Sequence, residues 1–302
     1  MVKLNIMTII EHLDPDYKKE LPEVIYHYTS LDNFIKILKT KTFYLFNSYQ
    51  MNDYKENMTI IDILNTVIMQ KKIIIPDDYL KELYKVLGFK FKMGFAFISC
   101  FTELRDSISQ WRAYGDDGNG ICIIFNPKSF EISYALPSHN AIAEKCVSIH
   151  DVIYSKEQQE KIIIEILNMA INNQNTLGTH GKEFFAENVY ELIIRFAPIF
   201  KMNEFQEEKE WRIIYETVLM GRDHQQITTT DSRKDIEFIH TRNNIKSYFP
   251  LNIEENKFVN SLKGIILGPK TIIPDMEIAT ILENFGFWDI KIFRSNISYR
   301  SP

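Results

Sequence analysis

The chain has 302 residues, 45% of them hydrophobic and 25% charged, with a formal net charge of −5. This composition fits a soluble globular protein with ample material for a core. It excludes a protein that holds nucleic acid mainly through bulk positive charge, but it leaves room for a local basic groove.

Three cysteines, Cys100, Cys122 and Cys146, are widely spaced, and two of them fall in apolar runs. That pattern predicts free thiols in a reducing compartment. No C-x-x-C or H-x-E pair points to a zinc site, so no metal is expected. The N-terminal apolar patch is too short for a signal peptide, and no run reaches the roughly 18 apolar residues that span a bilayer. The expectation is a cytoplasmic protein with no membrane partner.

In chain order, residues 1–22 read as a leader ending in a loop. Val24–Ser30 is a short β-rich segment. It runs into a helix whose apolar residues Leu31, Phe34, Ile35, Ile37 and Leu38 have helical spacing, with Thr29 or Ser30 as N-cap. A strand follows at Thr42–Phe46, then a polar loop, helices over Ile60–Gln70 and Asp77–Val86, and a strand over Gly94–Phe101. A short polar helix and a tight turn lead to a second apolar strand at Gly120–Phe125. Both strands are apolar on successive residues, which predicts burial on both faces.

Further on, Lys145–Tyr154 reads as a strand, and Lys156–Ile171 and Lys182–Phe200 as two helices, a helical insertion over residues 156–202. Strands are expected at Glu208–Glu216, Ile236–His240, Ile245–Leu251, Leu262–Gly268 and Trp288–Phe293, with a helix at Pro274–Phe285. There is no linker, repeat or steady β-α alternation. The reading is one α+β domain over 1–302, with a mixed, largely antiparallel central sheet surrounded by helices.

Three constellations carry chemistry. His27-Tyr28-Thr29-Ser30 joins a strand end to a helix start, where a histidine can bond a ligand hydroxyl and free N–H groups can meet a phosphate. Trp111, Arg112 and Tyr114 lie between the two apolar strands: the rings can stack on a planar group, and the arginine can pair with a phosphate or a glutamate. Glu208 and Glu210 begin a strand and share a face by alternation, a pair suited to polarising a hydroxyl or stabilising a developing cation. The Gly115–Gly120 turn lacks the lysine and spacing of a P-loop.

Taken together, these motifs resemble a large bacterial family known only as a domain of unknown function. The shared elements are Tyr26-His27-Tyr28-Thr29-Ser30, Asn52-Asp53-Tyr54-Lys55-Glu56, Cys100-Phe101-Thr102-Glu103, Ser107 to Gly120, Glu208 to Arg212 and Ile265 to Pro269. Tyr54 stands where that family usually has proline. A second resemblance supplies chemistry. The His27-to-Phe34 stretch is similar to the His-x-Thr-x-x-x-Asn-Leu start of toxin-like ADP-ribosyltransferases that modify nucleic acid.

That resemblance implies a transferase-like fold using NAD. His27 would bind a ribose, Thr29 or Ser30 the nicotinamide-side groups, and Tyr114 or Trp111 would stack on nicotinamide. Glu210 would stabilise the oxocarbenium-like centre, and Glu208 would orient or deprotonate an acceptor, protein or nucleic acid. The implied setting is the effector of a bacterial toxin or antiphage system, with a protein partner. Two other readings remain. One is a non-catalytic sensor of a nucleotide or protein. The other is a metal-dependent nuclease using the Glu-x-Lys within Glu207-Glu208-Lys209.

Overall fold

The structure, a computed structural model, describes residues 20–51, 58–90, 94–134, 147–174, 181–218, 236–241 and 244–299. Most of the expected leader, the whole Asn52–Glu56 motif, Cys146 and the polar loop 221–235 lie outside the described residues.

Among the described residues ten strands form one sheet: β1 (Ile25–Thr29), β2 (Thr42–Asn47), β3 (Gly94–Thr102), β4 (Ile121–Phe125), β5 (Val147–Asp151), β6 (Glu210–Val218), β7 (Glu237–Thr241), β8 (Asn244–Asn252), β9 (Leu262–Leu267) and β10 (Lys291–Arg294). The main path runs β10-β9-β4-β1-β3-β2-β8-β7, with β6 on β3 and β5 on β6. Every strand pair is antiparallel except β9 with β10. The helices are α1 (Leu31–Thr40), α2 (Thr59–Met69), α3 (Asp77–Lys90), α4 (Ile108–Ala113), α5 (Lys156–Gln174), α6 (Gly181–Phe196), α7 (Glu255–Ser261) and α8 (Asp275–Asn284). The fold is α+β, a mixed and largely antiparallel open sheet with helices around it. Among the described residues no helix is long and apolar enough to cross a membrane.

Two cores follow from strand alternation. On β3, Phe97 and Phe101 point to one side, into an aromatic cluster where Phe43 meets Phe101, Phe125, Phe130 and Phe258 edge-on or tilted at 5.3–5.6 Å. Ala96 and Ile98 point to the other side, against α2, α3, α5 and α6. The two helices of the expected insertion therefore pack as part of the helical layer on the sheet.

The deviations from expectation have local causes. The strand expected from Glu208 starts at Glu210, because Lys209 takes a left-handed conformation with φ 43°. The strand expected from Trp288 starts at Lys291, because Asp289 has φ 59°. The second long helix stops at Phe196 before Pro198, which cannot supply the next helical N–H. The seven-residue α7 was not anticipated; it is too short for its period to show in the sequence.

The feature that matters for function is a split in the sheet. One edge of β3 is paired with β6 along its whole length, from Gly94 opposite Val218 to Thr102 opposite Glu210. The other edge is shared. β1 joins it only at Tyr26–Thr102, and β2 only at Phe46–Ile98 and Asn47–Phe97. Between these junctions Ser99, Cys100 and Phe101 face an opening where β1 and β2 part.

Candidate functional site

A cleft of ≈ 660 Å³ occupies that opening. Its walls come from β1 and the start of α1, from β2, from β3, from the segment after α4 and from the approach to β6. It is lined by His27, Tyr28, Thr29, Ser30, Tyr114, Glu208 and Glu210, seven of the nine residues singled out in the sequence. Trp111 and Arg112 are not in the lining.

Those two correct the sequence reading. Trp111 is fully buried, packed edge-on against Tyr28 at 4.7 Å, and its indole N–H donates to Asp106 at 2.7 Å. It holds the wall up from behind and offers no face to a ligand. Arg112 is exposed and lies over the ring of Tyr299 at 4.9 Å. Replacing Trp111 with phenylalanine keeps most of the ring and removes the bond to the carboxylate. The expected loss is about 2 kcal/mol, the range for a hydrogen bond to a charged group, measured by urea unfolding.

His27 sits in the opening itself. A split strand edge leaves backbone groups without ladder partners, and those must be satisfied another way. The His27 ring does this: Nδ1 lies 2.9 Å from the Cys100 carbonyl, so Nδ1 carries the proton and donates. Burial lowers the His27 pKa and the Cys100 bond only partly offsets it, so the ring is neutral at pH 7. Nε2 is then an unprotonated acceptor, suited to a ligand hydroxyl.

Thr29 is buried at the end of β1. The Ser30 hydroxyl caps α1, accepting from the Asn33 N–H at 3.3 Å. The Tyr28 hydroxyl donates to the Leu104 carbonyl at 2.8 Å and accepts from the Ser107 N–H at 3.2 Å. These last two groups mainly fix the wall.

On the far wall the two glutamates are not a bare pair. Lys201 Nζ lies between them, 2.6 Å from Glu208 Oε2 and 2.9 Å from Glu210 Oε2. Arg212 grips Glu210 with its fork, Nε to Oε1 at 2.8 Å and a terminal nitrogen to Oε2 at 3.0 Å. The Cys100 thiol adds a further bond to the same carboxylate. Burial alone would raise the Glu210 carboxyl. Arg212 and Lys201 outweigh it and hold the pKa at about 2. Glu210 is thus a fixed, ionised carboxylate despite its burial.

Sequence reasoning missed Lys201 and the true partner of Glu210. Lys201 follows the helical layer, and its backbone carbonyl accepts from the buried Gln159 amide at 2.9 Å. The arginine that reaches a glutamate is Arg212, directly opposite Cys100 on β3. The E-x-E-W-R stretch was the available signal, since an arginine two residues after a strand glutamate shares its face.

The C-F-T-E and E-W-R motifs also explain each other. Cys100, Phe101 and Thr102 pair with Arg212, Trp211 and Glu210. The Thr102 hydroxyl donates to the Glu208 carbonyl, and the Trp211 indole N–H donates to Glu103 at 2.8 Å. The motifs place Glu208 and Glu210 by clamping the backbone on both sides of Lys209.

Cross-strand pairing puts Cys100, Thr102, Tyr26, Glu210 and Arg212 on one face of the sheet. His27 alternates to the other face. The two meet the same cleft because the opening passes between β1 and β2. Its charged lining is balanced, with Lys36, Lys201 and Arg212 against Asp116, Glu208 and Glu210. No one-sign field of the kind that steers a polyanion results from this lining. Among the described residues no group of three His, Cys, Asp or Glu side chains is arranged to hold a metal ion.

Residues 110–213 match a family model described as a protein of unknown function, DUF2971. That stretch carries the Tyr114 and Glu208–Arg212 walls but not His27. No curated protein and no solved structure matches the chain.

Proposed function

We propose that the chain is an NAD-dependent ADP-ribosyltransferase-like enzyme. The observation that carries this is the cleft in the split sheet, which brings a neutral histidine, an aromatic residue and an ionised carboxylate to one cavity. Its volume is that of a small-molecule or cofactor site. In this reading His27 Nε2 accepts from a ribose hydroxyl and Tyr114 packs on the nicotinamide ring. The bond from ribose C1′ to the nicotinamide nitrogen breaks, and its electron pair leaves with neutral nicotinamide. Glu210, held still and charged by Arg212, faces the positive charge left on the ribose. A nucleophilic atom of the acceptor then bonds C1′, and its proton passes to Glu208 once Lys201 has released that carboxylate. The role as an effector in a bacterial toxin or antiphage system, with a protein partner, rests on the resemblance of the motifs.

One observation favours a second reading. Both Glu210 oxygens are already engaged by Arg212, and one also by Lys201. In a non-catalytic nucleotide sensor that network would serve only to shape the cleft.

Calorimetry with NAD, together with an assay for released nicotinamide, separates the two. The useful variant is His27→Asn, whose amide can keep the bond to the Cys100 carbonyl while removing Nε2. The expected result is saturable NAD binding, weakened about tenfold in the variant, or about 1.4 kcal/mol, with slow release of nicotinamide by the unmodified chain. Binding without release would leave the sensor. No binding at millimolar NAD would overturn the NAD reading.

A further inference from the structure

The transferase reading uses only one end of the cleft. Another part of the lining comes from β2, with Met51 and with Ile239 of β7. Tyr44 and Phe46 stand two residues apart on β2, so their side chains share a face, about 7 Å apart along the strand. Both are half-buried, between the buried Phe43, Leu45 and Asn47, and both line the cleft with Met51 and Ile239. Tyr248 of β8 backs the two rings. It lies 4.5 Å from Tyr44 at an interplanar angle of 28°, and 5.9 Å from Phe46.

This ledge is held rigid. Tyr248 is buried and its hydroxyl donates to Glu237. Gln50 fixes the neighbouring turn of chain: its side-chain oxygen accepts from the Ser247 N–H at 2.7 Å, and its amide donates to the Ile245 carbonyl at 3.2 Å. A cation at this end is Lys246, whose ammonium lies 6.0 Å from the Phe46 ring centre, and Lys36 of α1 lines the same cleft. The Glu237 carboxylate is occupied by Tyr248.

We propose that this ledge is a subsite for the purine ring of a phosphate-bearing nucleotide. Two rings side by side on one strand offer an apolar surface longer than a single-ring base covers, and a bicyclic base fills it. Base-on-aromatic stacking needs no base-specific hydrogen bonds, and the ledge supplies rings and cations. The same cavity continues to His27 and Glu210. The subsite therefore deepens the NAD reading, on which its identification as the adenine seat rests, but the ledge is testable with a ligand that has no nicotinamide.

The probes are AMP, CMP and nicotinamide mononucleotide, titrated calorimetrically into the full chain and into Tyr44→Leu, Phe46→Leu and the double variant. Leucine keeps apolar volume and removes the ring. The expected result is saturable AMP binding, stronger than CMP, that falls about ten- to a hundredfold in the double variant, while nicotinamide mononucleotide is unaffected. If the double variant does not fold, the single variants Tyr44→Leu and Phe46→Leu give the same comparison. Unchanged AMP affinity in the folded variants, or no AMP binding by the unmodified chain, would overturn the subsite. AMP binding that depends on the ledge, in a protein that never cleaves NAD, would support the subsite while removing the transferase.

Discussion

Replacing Glu210 with glutamine is expected to destabilise the fold by about 3 kcal/mol, measured by urea unfolding at pH 7. The carboxylate lies between Arg212 and Lys201, all three nearly excluded from solvent. Removing the carboxylate that Arg212 grips with two nitrogens breaks a buried ion pair, a change that typically costs about 3–5 kcal/mol. The value falls at the low end because Lys201 keeps Glu208 and the amide oxygen can still accept. The pH dependence fixes the cause. The folded-state pKa of Glu210 is held at about 2, below its ordinary value of 4.5. A carboxyl depressed in this way adds stability that is fully present above about 4.5 and is lost as pH falls toward 2. The gap between the unmodified chain and the variant should therefore be constant from pH 5 to 7 and narrow as the pH drops through that window. A gap below about 1 kcal/mol at pH 7 would mean that the network does not hold this wall. Lost activity in this variant would therefore follow from a disturbed wall as readily as from lost chemistry. Glu208→Gln, at a half-buried position, is the cleaner probe of proton transfer.

Gly120→Ala is expected to be at least as damaging, and to act at a distance from any charge. A Cβ at Gly120 would lie 2.1 Å from the Thr29 carbonyl oxygen and 2.8 Å from that of Gly115, both backbone atoms that cannot swing aside. The collision falls where β1 hands over to α1, the wall that carries Thr29 and Ser30. Overpacking in a tight interior commonly costs about 1–3 kcal/mol, and a clash of backbone on both sides should reach or exceed the top of that range. The expected result is a lower urea midpoint together with weakened nucleotide binding. Gly88→Ala, inside α3, is the control, since a Cβ there meets nothing within 4 Å. It should leave binding alone and raise stability by up to about 1 kcal/mol, the gain of alanine over glycine in a helix. If Gly120→Ala behaves like the control, the close approach of β4 to the end of β1 does not shape the cleft.

Gly120 also shows how two separate sequence motifs become one structural device. The Gly268 N–H donates to the Gly120 carbonyl at 3.0 Å, and the Lys270 N–H to the Gly118 carbonyl at 2.9 Å. A Cβ at Gly268 would lie 2.3 Å from the Gly118 carbonyl oxygen. The glycine-rich turn after Tyr114 and the I-x-L-G-P strand end are thus two halves of one joint that ties β4 to β9.

The fold class could be read from the sequence because its signals are local. Gly94–Phe101 and Gly120–Phe125 announce buried strands by being apolar at nearly every position, Ser99 apart, and the periods of α1 and α5 are plain. The split in the sheet was not readable. It depends on β1 and β2 competing for one edge of β3, and a strand's own residues do not say how much of a partner it covers. For the same reason His27 could be suspected but its bond to the Cys100 carbonyl could not be foreseen. The sequence left Trp111 free to stack on a ligand, but one residue on the inward side of a six-residue helix is enough to bury it. Tyr44 and Phe46 passed as ordinary strand residues, since Thr42–Phe46 is nearly apolar throughout and does not show which face stays half-open. Lys201 lies outside the motifs, seven residues before Glu208, and is brought in by the end of the helical layer.

The order in which the strands are made has a consequence for how the chain reaches this structure. β3 pairs with β6 along its full length, yet more than a hundred residues separate the two, from Thr102 to Glu210 at the nearest pair. During synthesis the apolar segment GFAFISCFT emerges long before the strand that covers its edge. Contacts this distant in sequence close slowly, and an uncovered apolar strand is a site for pairing with the wrong partner. The helices α5 and α6 are made in that interval, and they cover one face of β3 but not its edge. Yield on refolding should therefore depend steeply on protein concentration, and the vulnerable species is the one in which β3 still waits for β6.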